Sequence, residues 1–418
     1  MKVFKFGGAS VKDAAAVKNL AEIVKMYNNS LVIVVSAMGK TTNSLELVLK
    51  AYFENKPEKT QYFLNVKDYH LKIVEELFPA GHAAFEKTVK WFDELFEKIS
   101  TEPSMTYNFE YDQIVPYGEL ISTTIVNEYL NYAGVKSQWL DVRKILKTDD
   151  NYREANVLFE LSAKLAKETI KHGEGKVYLT QGFIGSTKNN LTTTLGREGS
   201  DYTAAMIAAF LNAEFVTVWK DVPGVLNADP KWFDNTVKLD KLTYTDAIEL
   251  AFYGASVLHP KTIQPVKQNN IPLYVKSFVN PAEEGTVIGN FMYDKLIPCF
   301  IFKIDQVLIN IHPIDLSFIA EENLQYIFSV LARYSLKVNL MQNTAVSFRI
   351  CVNNDSTRIP LVIEELEEYY RISMESGLEL ITIRYYDQQT IDRVLEKKEV
   401  LLEQHNQRTV QMVVRKVL

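Results

Sequence analysis

Cysteine is nearly missing from this chain: its 418 residues include two, Cys299 and Cys351. Two thiols cannot build a disulfide framework, and such scarcity is expected of a reducing compartment. Histidine is sparse as well, six residues scattered along the chain, so a metal site built from protein ligands is not expected. No uncharged apolar run approaches the roughly 18 residues of a membrane span. The opening Met1-Lys2-Val3-Phe4-Lys5 runs straight into a Gly-Gly turn with no apolar signal region. Basic residues are not in excess: 46 Lys and Arg face 52 Asp and Glu, for a net charge of -6. Nucleic acid and membrane are therefore not expected partners. What is present is globular composition, 47% hydrophobic and 23% charged, which argues against long disorder. At roughly 150 residues per domain, the length suggests two to three domains. The expectation is a soluble, cytoplasmic protein with a catalytic core and something smaller.

The first two thirds alternate strand and helix signals. Val3–Phe6, Leu31–Ala37, Lys176–Ile184, Glu214–Trp219 and Ile271–Val275 read as strands, several of them near-continuous apolar runs of the kind covered on both faces. Val17, Leu20, Val24 and Tyr27 repeat at helical spacing, as do Tyr202, Ala205, Met206, Ala209 and Phe210. The expected class is α/β: an open, mostly parallel sheet between helices. Asn55 to Ser100 is charged, aromatic and free of strand signals. It reads as a helical insertion, either a lid or subunit contact or a solvated cap. After Pro281–Gly289 the pattern changes. Phe300–Ile311 reads as a strand, Leu324–Tyr334 as a helix, Val338–Leu340 and Ala345–Val352 as strands, and Leu361–Tyr370 as a helix. Leu378–Tyr385 (strand), Ile391–Gln404 (helix) and Thr409–Val417 (strand) restart that pattern. The expected divisions are a catalytic domain over 1–292, one small α+β unit over 299–372 and an incomplete second over 373–418.

Four segments can carry chemistry. Lys5-Phe6-Gly7-Gly8-Ala9-Ser10 follows the first strand; its glycines let backbone approach an anion, and its lysine can neutralise a transferring phosphoryl group. It is not the G-x-x-x-x-G-K-[ST] pattern, and alone it could be a plain turn. Gly196-Arg197-Glu198-Gly199-Ser200-Asp201 opens an apolar helix. Ser200 or Asp201 can cap that helix, and an arginine there can grip a carboxylate. Trp219-Lys220-Asp221-Val222-Pro223-Gly224, with Asn227-Ala228-Asp229-Pro230-Lys231, follows a buried strand, which is where α/β sheets bind ligands. Tyr253-Gly254-Ala255-Ser256-Val257-Leu258-His259-Pro260-Lys261 contains a histidine that reads as structural. Ser36–Thr42 and Pro116-Tyr117-Gly118-Glu119 are further polar stations, and Asn43 with Glu46 resembles a capping box.

Taken in order, these segments resemble the aspartate kinases of the amino-acid-kinase superfamily. Lys5–Ser10 looks like the KFGG-[TS]-S opening, Ser36–Asn43 like V-S-A-x-x-x-x-T-N, and Tyr117–Glu119 like the GE station. Gly196–Ala205 resembles G-R-G-G-S-D-Y-T-A-A, Trp219–Pro230 the W-T-D-V-P-G loop with its D-P, and Phe252–Thr262 F-G-A-K-V-L-H-P-x-T. Asn280-Pro281 with Gly285-Thr286 is similar to N-P-x-x-x-G-T, and the C-terminal units resemble ACT domains. The resemblance implies ATP-dependent phosphorylation of the L-aspartate β-carboxylate, the first step toward lysine, threonine and methionine. It implies catalytic roles for Lys5 and Asp201. ATP would meet Lys5, Gly7, Gly8, Ser10, Lys220, Asp221, Leu226, Lys231, Ser256 and Val257. Aspartate would meet Thr42, Glu119, Arg197 and Ser200. Mg²⁺ would arrive with ATP, with no metal held by protein alone. An amino-acid effector would meet Asn339, Met341, Gln342, Asn343 and Thr344, and the ACT-like units would join a homodimer or larger homo-oligomer.

The chain departs from the pattern at Ala9, Glu198, Lys220 and Ser256. The last stands where a nucleotide-contacting lysine is usual, so Lys220 or Lys261 is expected to supply that cation. Lysine-inhibited relatives carry an Asp and a Ser-Glu pair where this chain has Asn339 and Thr344-Ala345, which leaves lysine, threonine or no effector open. The competing readings are a same-fold kinase for another substrate, such as glutamate, and an ATP- or amino-acid-sensing homologue with weak or no activity.

Overall fold

The computed structural model describes residues 1–418 apart from 28, 29, 104, 105, 234, 256, 257, 294, 295, 316 and 418. The chain divides into two compact units. The first comprises Met1–Val225, Lys238–Ile248 and Ser256–Met292; the second comprises Leu226–Val237, Glu249–Ala255 and Tyr293–Leu418. Among the described residues no helix is long and apolar enough to cross a membrane.

The strands of the first unit are β1 (Lys2–Phe6), β2 (Leu31–Val35), β3 (Ser137–Leu140), β4 (Val177–Gln181), β5 (Ile184–Ser186), β6 (Thr192–Thr194), β7 (Val216–Lys220), β8 (Lys241–Thr243), β9 (Leu273–Ser277) and β10 (Thr286–Gly289). Its helices are α1 (Ala14–Lys25), α2 (Thr41–Phe53), α3 (Lys59–Leu77), α4 (Ala83–Ser100), α5 (Tyr107–Ile114), α6 (Tyr117–Tyr132), α7 (Phe159–Thr169), α8 (Gly199–Leu211) and α10 (Pro260–Gln268); α9 (Tyr244–Tyr253) starts in this unit. Eight strands form one sheet in the order β3-β4-β2-β1-β7-β9-β10-β8, and β5 and β6 form a separate hairpin. Every neighbouring pair in the large sheet is parallel except β9 with β10.

Side chains alternate along β1, and that alternation gives the strand two unlike faces. Phe4 and Phe6 join Leu31, Ile33, Val35 and Leu179 in a core with residues of α1 and α6. Lys5 points to the other face, where α8 crosses β1, β2 and β7. Strand β1 also lies between β2 and β7, where the winding of the sheet reverses. Parallel strands bring the loops after all three to one edge, which is where such sheets bind ligands.

The insertion read over 55–100 consists of α3 and α4. It is no solvated cap: Phe63, Val66, Ile73, Val74, Phe92, Leu95 and Ile99 are buried in the same core as the sheet. His70 of α3 is fully buried, bonded to the Val66 carbonyl at 2.7 Å and to the Thr41 hydroxyl at 3.3 Å. Desolvation lowers its pKa to about 4, so it is neutral and structural.

The second unit contains β11 (Cys299–Pro313), α11 (Glu321–Arg333), β12 (Val338–Asn343), β13 (Phe348–Asn353), α12 (Arg358–Leu366), β14 (Tyr370–Arg384), α13 (Gln388–Leu395), β15 (Lys398–His405) and β16 (Thr409–Lys416), and these strands make one antiparallel sheet, ordered β12-β13-β11-β14-β16-β15. Strands β11 and β14 are 15 residues long and each serves both halves. They bend midway, at the register shift around Asp305 (φ 54°) and at Gly377 (φ 72°).

Three expectations differ from the structure. The division at 372/373 falls inside β14. The helix read over Ile391–Gln404 ends at Leu395, and Lys398–His405 is strand β15. Its Leu, Glu, Lys and Gln favour helix locally, but pairing with β16 buries Leu402 and overrides propensity. The catalytic boundary at 292 also omits two excursions, because Leu226–Val237 and Glu249–Ala255 belong to the second unit. There Phe233 stacks on Phe300 at 4.6 Å and the Asn227 amide donates to the Pro298 carbonyl at 3.0 Å.

Candidate active site

A cavity of about 820 Å³ opens at the switch edge of the first unit. Strand β1 brings Lys5, β7 brings Lys220, and the first turn of α8 brings Asp201; all three line it. The Lys5 ammonium lies 2.6 Å from one Asp201 oxygen and the Lys220 ammonium 3.8 Å from the other. Lys5 is 8% exposed and Asp201 2%. A buried carboxylate thus holds two ammonium groups at fixed positions in the cavity wall, at low dielectric where charge acts strongly.

Glycines set the approach. A Cβ on Gly8 would stand 2.8 Å from the Gly39 carbonyl oxygen and 2.9 Å from that of Ala37, so the loop after β1 packs directly on the loop after β2. A Cβ on Gly7 would lie 3.3 Å from the Lys5 ammonium. A Cβ on Gly182 would lie 2.5 Å from the Ser200 Cβ, so bare backbone lets α8 start against the sheet edge. Neither Ser200 nor Asp201 caps α8. Its N-cap is Glu198, at φ 55° and ψ 26°, with no side-chain cap hydrogen bond. The cap assignment fails because the helix begins at Gly199, which places Asp201 inside the first turn facing Lys5. The proposed capping box fails likewise: α2 begins at Thr41 with Lys40 as N-cap, and Glu46 instead accepts from the Tyr111 hydroxyl at 2.9 Å.

Other lining residues differ in character. Glu119, in the first turn of α6, is 2% exposed. One oxygen accepts from the Ala37 N–H at 3.2 Å, and the other is buried without a hydrogen-bond partner among the described residues. Desolvation raises its pKa to about 8 against the opposing effects of that N–H and of Lys5. Arg197 is exposed, lines the cavity, and has no hydrogen bond or ion pair among the described residues. An arginine and an orphaned carboxyl oxygen lining one cavity suit a ligand carrying both carboxylate and ammonium.

The amino acid kinase family model matches residues 1–277. Over 399 residues, 91% of this chain and 86% of the relative, the chain is 32% identical to lysine-sensitive aspartokinase 3 of Escherichia coli K12. The chain belongs to the amino acid kinase family, in its aspartokinase branch. It is also 30% identical to the chloroplastic aspartokinase 1 of Arabidopsis thaliana, covering 91% of this chain and 70% of that one. The crystal structure of E. coli aspartokinase III with lysine and aspartate (T-state) superposes with a TM-score of 0.83 at 29% identity, covering 99% of this chain and 95% of that chain. The family assignment and the fold class agree with the resemblance and the sheet read from the sequence.

Of the site residues named from the sequence of this family member, Lys5, Thr42, Glu119, Arg197, Ser200, Asp201 and Lys220 meet in the cavity. Ser10 is buried behind it, its hydroxyl donating to the Trp219 carbonyl at 3.4 Å. Asp221 is exposed on the loop after β7 and is not among the lining residues. Leu226 and Lys231 belong to the second unit, and Ser256 and Val257 fall outside the described residues. Between the two candidate replacement cations, Lys220 lines the cavity and Lys261 does not. His259 is an N-cap: its Nδ1 accepts from the Lys261 N–H at 3.2 Å.

Among the effector candidates, Asn339 has both ends of its amide engaged. It accepts from Lys303 at 2.8 Å and donates to Gln306 and Asn353 at 2.8 Å each. Met341, Gln342 and Asn343 follow on edge strand β12, and the Thr344 hydroxyl meets that of Ser347 at 2.6 Å. Sequence reading missed Asn108, Tyr111 and Arg153, which also line the cavity. Arg153 follows the turn-forming run Asp149-Asp150-Asn151, which is the signal that could have found it.

Proposed function

We propose that the protein transfers the γ-phosphoryl group of ATP to the β-carboxylate of L-aspartate, giving ADP and 4-phospho-L-aspartate. The observation that carries this is the pairing in one cleft of the Lys5–Asp201–Lys220 cluster with Arg197 and Glu119. Phosphoryl transfer asks little covalent chemistry of a protein; it asks for in-line placement and positive charge on the equatorial oxygens. Lys5 and Lys220 supply that charge, and Asp201 keeps both ammonium groups aimed before substrate arrives. Arg197 takes the α-carboxylate, Glu119 the α-ammonium, and Thr42 and Ser200 help seat the acceptor, leaving its β-carboxylate toward the γ-phosphate. The loop amides at Gly7 and Gly8 complete the phosphate cradle. In this reading Ser10 and Asp221 border the nucleotide.

Related E. coli structures carry aspartate with ADP in one state and lysine with aspartate in another, which supports both substrates. No group of three or more His, Cys, Asp or Glu side chains able to hold a metal occurs among the described residues. In this reading Mg²⁺ enters as the ATP complex, held by the phosphates. The unit beyond Met292 is read as ACT-like and regulatory, answering to an amino acid and joining subunits. Coupled ADP release with ATP and L-aspartate, repeated with added lysine, threonine or methionine, tests the reading. Turnover of glutamate without turnover of aspartate would overturn it.

A further inference from the structure

One wall of the cleft is held in a way that the roles assigned so far do not require. Arg153 stands in the loop between β3 and α7 with φ 75°, the left-handed region that disfavours a side chain. For a residue other than glycine this costs about 1 kcal/mol. The backbone is pinned there by Asp112, which is fully buried and accepts the Arg153 N–H at 3.0 and 3.2 Å. Asp112 also accepts the Thr194 N–H at 2.9 Å and the Thr194 hydroxyl at 2.7 Å. The guanidinium lies 4.6 Å from the centre of the Tyr111 ring, and its Nη1 reaches Asn108 at 3.5 Å. Among the described residues it has no carboxylate within ion-pair distance. The Arg153 carbonyl meanwhile abuts the residue preceding Arg197, since a Cβ on Gly196 would lie 3.3 Å from it. Two arginines with no ion pair among the described residues therefore line one cavity from touching backbones, and one of them is fixed by a ring and a strained, anchored main chain.

We propose that Arg153 is a second substrate-orienting residue, which grips with Arg197 the α-carboxylate of an acidic amino-acid acceptor and so sets the preference for a dicarboxylate. A carboxylate offers about four lone-pair sites, enough for two guanidinium forks. The phosphoryl end of the cleft already has Lys5 and Lys220, so a cation on the wall shared with Arg197 serves the acceptor. The inference rests on the reaction proposed above and adds the residue that selects its acceptor.

The test measures KM for L-aspartate and for ATP, kcat and Tm in the full chain and in Arg153→Ala, Arg153→Lys and Arg153→Gly. It adds the inhibition constant of 3-aminopropanoate, which is aspartate without its α-carboxylate. We expect alanine and glycine to raise the aspartate KM by about ten- to hundredfold, with kcat within about threefold and the ATP KM unchanged. Lysine restores part of the loss, because it keeps the charge and loses the fork. Arg153→Gly keeps or raises Tm, because glycine accepts the left-handed backbone; a structural role for the side chain would instead lower it. The inhibition constant of 3-aminopropanoate stays put. An unchanged aspartate KM in an active background, a rise in the ATP KM instead, or a parallel rise for 3-aminopropanoate overturns this inference alone. A wild-type chain that turns over no aspartate overturns the reaction and this inference together.

Discussion

Replacing Glu119 by glutamine separates the two demands placed on that carboxyl group. Burial lifts its pKa from the ordinary 4.5 to about 8, so the folded chain prefers it protonated. The sign comes from linkage: this contribution to stability is complete below pH about 4.5 and is lost as pH rises to about 8. At roughly 1.36 kcal/mol per unit, the loss near neutral pH is about 3 kcal/mol, and relaxation around the ionised group reduces it to about 1–3 kcal/mol. Glutamine mimics the neutral acid and can still accept the Ala37 N–H. Glu119→Gln is therefore expected to be more stable than wild type by about 1–3 kcal/mol at pH 8, and by less than about 1 kcal/mol at pH 5. Denaturant titrations at both pH values measure this. Activity moves the opposite way. Only about one site in a hundred is ionised at pH 6, so kcat/KM for aspartate at saturating nucleotide rises about tenfold per pH unit from 6 toward 8. In Glu119→Gln that profile is flat and low. A stability difference that ignores pH, together with a flat wild-type profile, would refute the reasoning.

Lys5→Met removes the ammonium 2.6 Å from Asp201 and is expected to lower kcat by about two to three orders of magnitude, with a smaller effect on the aspartate KM, in steady-state assays. Gly8→Ala drives a Cβ into two backbone oxygens that cannot swing aside; a lowered Tm and lost activity are expected, where an unaltered Tm would show the loops not to be packed this way. Lys220→Ala is expected to raise the ATP KM or lower kcat about tenfold or more, whereas Lys261→Ala is expected to leave both within about twofold, as kinetics at varied ATP will show.

Much of the first unit was legible because its central strands are short apolar runs bounded by turn formers. Val3–Phe6 and Leu31–Ala37 are read within two residues of β1 and β2. Edge strands escaped: Ser137–Leu140 and Lys241–Thr243 are partly exposed, with little apolar signal. The stretch 396–404 was misread because its composition favours helix while the strand it pairs with, β16, lies later in the chain. The charged motifs pointed to Lys5, Asp201 and Arg197 because glycines flank them. What no local pattern encodes is their pairing: Lys5 meets Asp201 far along the chain because β1 presents alternate residues to α8. Arg153 and Asp112 were missed for the same reason, being joined across 41 positions by a contact that leaves no periodic trace.

The central claim is that these side chains form one cleft that moves a phosphoryl group onto a carboxylate. Trapping with hydroxylamine tests it most directly, because an acyl phosphate yields a hydroxamate. With ATP and L-aspartate the wild-type chain should give hydroxamate and ADP in equal amounts, and the product should vanish in Asp201→Asn although that variant remains folded. Hydroxamate undiminished in Asp201→Asn, or absent from folded wild type, would contradict the account.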